Sequence, residues 1–127
     1  MIEKTYVKEF DTVGTIGGPL NRPPAAHYNL TVLGVTQRIP TAKSHYREWT
    51  FATQDGVYQF TLRFYPWTSR ELLLAVGGKA VDENNVEWND ETVTGVDIEA
   101  EVYYEPDKAN PKKTYVRLRN IKTAIPF

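Results

Sequence analysis

Five segments of the 127-residue chain alternate apolar and polar side chains with a period of two, and only one stretch departs from that period. Tyr28, Leu30 and Val32 oppose Asn29 and Thr31; Trp49 and Phe51 oppose Glu48 and Thr50; Tyr58, Phe60, Leu62 and Phe64 oppose Gln59, Thr61 and Arg63. Val96, Ile98, Ala100 and Val102 likewise oppose Asp97, Glu99 and Glu101, and Val116 and Leu118 oppose Tyr115, Arg117 and Arg119. This is the pattern of strands that bury one face. A chain built this way needs a sheet that curls around its own apolar side.

Turn signals separate the segments. Gly34 interrupts the first strand where a long strand bends, and residues 36–44 form a polar loop. Asp55-Gly56 marks a hairpin between the second strand, over 46–53, and the third, over 57–65. After Pro66 the period changes. Thr68 or Ser69 caps a short helix running through Val76, with Gly77-Gly78 ending it. An acidic loop follows (Asp82, Glu83, Glu87, Asp90, Glu91), and residues 105–113 link the last two strands. Residues 14–24 hold three Gly and three Pro, too many for a regular ladder. The chain therefore divides into an extended N-terminal arm, residues 1–27, and a single domain, residues 28–127. The fold class is all-β with one short helix, in the order β-β-β-α-β-β. That is the order of the OB-fold, a five-stranded, partly open barrel that binds oligonucleotides or oligosaccharides, and other small β-barrels can also include one helix.

Cysteine is absent, which excludes disulfides, thiolate metal sites and a Cys nucleophile. No apolar run is long enough to span a bilayer, and the N-terminus lacks a signal-peptide core, so a cytoplasmic location without membrane contact is expected. The net charge of −1 argues against nucleic acid only if the charge is uniform. It is segregated instead. Residues 28–70 carry five basic and two acidic groups, residues 71–107 one and eleven, and residues 108–127 six and none. Folding can gather these into one basic and one acidic face.

Catalytic and cofactor motifs are weak. Gly77-Gly78-Lys79 lacks the flanking residues of a phosphate-binding loop, and an EF-hand over the acidic stretch fails at Val86 and Glu87. His27 and His45 share no metal-ligand spacing. No enzyme activity, metal or cofactor is expected.

Several short runs carry a family likeness: Pro-Ala-Ala-His-Tyr at 24–28, Arg-Glu-Trp-Thr-Phe at 47–51 and Leu-Leu-Leu-Ala-Val-Gly at 72–77. With Trp88-Asn89-Asp90, Gly95 and the run from Tyr115 to Ile121, they resemble small bacteriophage proteins of a domain family predicted to bind single-stranded DNA. The resemblance spans residues 24–125. It implies an OB-like barrel coating single strands in phage replication or recombination inside a bacterial host. Related proteins often end in an acidic tail, which this chain lacks. Ile125, Pro126 and Phe127 resemble the tip of the bacterial single-stranded DNA-binding protein tail, which docks replication and recombination proteins. The alternative is that Phe127 tucks onto the barrel.

Single-strand binding needs cations for phosphates and rings on which bases stack. Arg63, Lys112, Lys113, Arg117 and Arg119 lie on or beside strands three and five, opposite the apolar positions. Tyr46, Tyr65, Trp67 and Tyr115 supply rings predicted to be exposed, and Lys43 and Arg47 extend the groove from the first loop. Trp49, Phe51, Tyr58, Phe60 and Phe64 are expected in the core. The competing view makes each Arg a solvated strand residue and each Tyr a rim filler, and a one-residue slip would exchange the two sets. The rival function is a structural or assembly module, such as a phage virion or adaptor β-barrel, using segregated charge for homo-oligomeric contacts.

Overall fold

A computed structural model of the chain describes residues 2–4, 15–16 and 23–124. Among the described residues the structure is mostly β, 54% strand, with antiparallel sheets and one short helix. In chain order the elements are β1 (Ile2–Lys4), β2 (Thr15–Ile16), β3 (Ala26–Val35), β4 (Ile39–Pro40), β5 (His45–Thr53), β6 (Gln59–Phe64), α1 (Arg70–Ala75), β7 (Lys79–Asp82), β8 (Asn85–Glu87), β9 (Asp97–Pro106) and β10 (Thr114–Thr123). The five strands expected from the alternation are β3, β5, β6, β9 and β10. No helix among the described residues is long and apolar enough to cross a membrane.

The main sheet runs β10-β9-β3-β5-β6-β2, with β4 paired to β5. Within it, β9-β3-β5-β6 has the fourth-first-second-third order of a Greek key. The long strand β3 slips register between Val32 and Gly34 against β5, so the strand expected to bend at Gly34 does so through an irregular step. Strands β10 and β2, at opposite ends of the sheet, approach each other. No ladder joins them among the described residues.

The core follows the alternation. Leu30, Val32, Trp49, Phe51, Leu62, Ile98, Ala100, Val102 and Val116 are buried, and Phe60 and Phe64 close the same cluster. Each large side chain contributes on the order of 1.5–3 kcal/mol through apolar burial. Tyr58, expected with them, is only half-buried outside the end of β6.

Two expectations are corrected. Residues 14–24, read as unable to hold a ladder, contribute Thr15–Ile16, which pair with Leu62 and Thr61 of β6. The acidic loop is instead the β7–β8 hairpin, joined by β1 into a three-stranded sheet. Its alternation is short and hidden among charges: Val86 and Trp88 are buried, while Glu87 between them faces out. The turn is held by Asp82, whose carboxylate accepts from the Asn84 backbone N–H at 2.7 Å and the Asn85 amide at 3.0 Å.

The end of α1 explains both glycines that follow it. The Gly78 N–H donates to the Leu73 carbonyl at 2.8 Å and the Gly77 N–H to the Leu74 carbonyl at 3.3 Å, the paired bonds of a Schellman motif. Gly77 has φ +102°, and a Cβ on Gly78 would lie 2.5 Å from the Leu73 carbonyl oxygen. The helix then packs along β10. Glu71 accepts from the Ile121 backbone N–H, and the Thr123 hydroxyl donates to the Ala75 carbonyl at 2.9 Å.

Candidate functional site

The sequence Tyr65-Pro66-Trp67-Thr68 builds the centre of the site. Proline presets the second position of a β-turn, and the Thr68 N–H donates to the Tyr65 carbonyl at 3.0 Å. The Thr68 hydroxyl oxygen also accepts from the Tyr65 N–H at 2.9 Å. This turn folds Trp67 back on Tyr65, the rings stacked with centroids 4.7 Å apart and 19° between planes. Tyr46, on the outward face of β5, meets Tyr65 at 5.5 Å, and the Arg63 guanidinium lies 4.7 Å above the Tyr46 ring. Arg63, Tyr46, Tyr65 and Trp67 thus form one contiguous, half-buried ladder. Glu48 of β5 stands directly opposite Arg63 in the β5–β6 ladder, on the same outward register, so a carboxylate neighbours this cation.

Trp67 also lines a groove of about 480 Å³ that runs between α1 and β10. Arg70, Tyr103, Arg117 and Arg119 share its walls, and Leu74 and Ile121 supply apolar surface. The Arg119 guanidinium sits 4.4 Å over the Tyr103 ring and is bonded at 2.7 Å to Glu101, which also accepts from the Asn120 amide at 3.2 Å. The hydrogen bond from Arg119 holds the Glu101 carboxyl below its ordinary range, against a slight opposing effect of burial. Arg117 pairs with Glu105 at 2.7 Å.

Two of the expected outward cations are buried, each for an identifiable reason. Arg47 is 6% exposed because it shares the odd register of Trp49, Phe51 and Thr53, the inward face of β5. Its guanidinium donates to the Glu3 carboxylate at 3.3 Å and the Thr36 carbonyl at 3.1 Å, and lies 5.0 Å from the Trp88 ring centroid. Arg38 donates to the same Glu3 oxygen at 3.2 Å, and His45 Nε2 lies 3.5 Å from the other. Burial pushes the Glu3 carboxyl up, but Arg38 and Arg47 together bring it below its usual value. Arg47 therefore anchors β1 and is not part of the groove. Arg117 is also 6% exposed, its guanidinium drawn onto Glu105 at 2.7 Å.

At the β9–β10 turn a second group forms. The Tyr115 hydroxyl donates to Asp107 at 2.6 Å, raising the Tyr115 pKa and lowering that of Asp107, and Lys113 lies 5.6 Å from the Tyr115 ring centroid. Lys43 and Lys112 are exposed loop cations, joined to neither group by side-chain contacts seen among the described residues. Ile125, Pro126 and Phe127 lie outside the described residues.

Two groove residues were missed from sequence. Tyr103 follows Val102 on the outward register, so extending the alternation by one residue finds it; Arg70 sits at the helix start, where the change of period hid its facing. Among the described residues no three His, Asp or Glu side chains gather as a metal site requires. The fold and site thus define an antiparallel β protein with a ring-and-cation surface running into a groove. No protein-family model matches the chain, and no curated protein matches it.

Proposed function

We propose that this chain is a sequence-tolerant single-stranded DNA-binding protein with an OB-fold-like barrel, phage-encoded and acting in replication or recombination without enzymatic activity. The observation that carries the reading is the continuous path from Arg63 over Tyr46, Tyr65 and Trp67 into the arginine-lined groove. Aromatic faces with interleaved cations are what single strands need, because every base has a π-face and every nucleotide a charge. The Greek-key order of the sheet and the approach of β10 to β2 support the barrel. The likeness of residues 24–125 to phage proteins supports the biological setting.

The test is the double substitution Tyr65→Ala with Trp67→Ala. Loss of two stacking rings, each contributing about 1–3 kcal/mol, weakens binding to an unstructured oligonucleotide at least about tenfold in fluorescence anisotropy. Unchanged affinity with the fold intact would overturn the site.

A second reading, an assembly module, is favoured by one observation. All four residues of the edge strand β7 are exposed, Val81 at 52%, and Ile2 on the opposite edge of that sheet at 55%. It predicts discrete oligomers in sedimentation, and a monomer over a wide concentration range contradicts it.

A further inference from the structure

We propose that the groove between α1 and β10 is a pocket for one nucleotide turned out of the stacked strand, with its base on the apolar floor and its phosphate at the arginine rim. The proposal rests on the single-strand reading and goes beyond it, because a stacking surface alone needs no pocket. Three observations carry it. The ladder ends at Trp67, whose indole is also a wall of the groove, so a strand following the rings is delivered to the groove's mouth. Tyr103, another wall of the groove, carries the Arg119 guanidinium 4.4 Å over one face, so a cation stands beside the apolar surface. The groove holds about 480 Å³, within the roughly 300–1,000 Å³ range of small-ligand sites, and combines Leu74 and Ile121 with Arg70 and Arg119.

Charge selects the ligand. Arg70, Arg117 and Arg119 face a groove whose acidic wall residue is Glu71, and the Glu71 carboxylate already accepts from the Ile121 N–H. Arg117 is buried against Glu105, whereas Arg119, paired to Glu101 but 53% exposed, and the half-buried Arg70 stand at the rim, where a phosphate can reach them. An apolar floor with a cationic rim fits a base joined to a phosphate better than either part alone.

The probe is thymidine 5′-monophosphate, titrated into ¹⁵N-labelled full-length protein, with thymidine and inorganic phosphate as separate arms. The expected result is shift perturbation of the Trp67 indole, Leu74 and Ile121 by the monophosphate, at least about fivefold tighter than by thymidine or phosphate. Leu74 is partly exposed, so Leu74→Trp fills the groove without disturbing the core. It abolishes the perturbation and weakens binding of a twelve-residue oligothymidylate at least about fivefold. Arg70→Gln, at the rim, gives the same direction without changing groove volume. Equal response to phosphate alone identifies a simple anion site and overturns the proposal. If the oligonucleotide binds the wild type but both variants bind it equally well, the pocket is wrong while the single-strand reading stands. If the oligonucleotide does not bind the wild type, the reading itself fails.

Discussion

Arg119 and Glu101 show how one residue pair sets the strength of the surface. Arg119 is half exposed, 53% for its side chain, and already bonded to a carboxylate, so a phosphate reaching it must displace Glu101. An exposed pair of this kind is held only weakly, because water screens it. Glu101→Gln therefore releases Arg119 and removes a repelling charge, and single-strand affinity rises about two- to fivefold in a direct titration. A weaker or unchanged affinity would mean that Arg119 does not meet the strand. The residue scale is also where sequence reading was least secure. Alternation placed Arg63 and Tyr46 outward correctly, yet Arg47 was grouped with the groove although its odd number puts it beside Trp49 and Phe51. Arg117 is on the outward register, but period two describes one strand and carries no information about what packs over it, such as its partner Glu105.

At the scale of elements, long strands were legible and short ones were not. Strands β3, β5, β6, β9 and β10 each bury three or more alternating apolar positions or pack closely on such strands. The pairs β1–β8 and β2–β6 rest on three and two register positions, too few to raise a periodic signal. What fixes β1 is chemical: Glu3 reaches Arg47 and Arg38, a contact between residues more than thirty apart in sequence. Its carboxyl titrates below its unfolded value near 4.5. The stability it contributes is thus fully present above that pH and is lost as pH falls through the lowered folded value. Glu3→Gln is expected to cost about 1–3 kcal/mol at pH 7 in denaturant unfolding, with the gap to wild type narrowing below pH 4.5. A gap that is the same at pH 7 and pH 3.5 would show that the charge on Glu3 is not what anchors the strand.

For the whole molecule, the charges behind the net −1 are only partly segregated, because the acids of β9 meet the arginines of β10, Glu101 with Arg119 and Glu105 with Arg117. The acids of residues 82–91 fall on the β7–β8 hairpin and the segment after it, while the ladder and groove draw on Arg63, Arg70 and Arg119. The mostly-β class and the long strands were legible because a repeated period demands sheets with one buried face; the groove was not, because it forms where α1 meets β10 across fifty residues of chain. The central claim is that this surface grips a single strand through few phosphates and several stacked bases. It is tested most directly by fluorescence anisotropy with single-stranded DNA, duplex DNA and RNA at two salt concentrations. Submicromolar binding of the single strand is expected at low salt, with much weaker binding of duplex, whose bases are not free to stack. About three phosphate contacts give a log–log salt slope of roughly −2. Absence of binding at low salt, affinity independent of salt, or preference for duplex would contradict it.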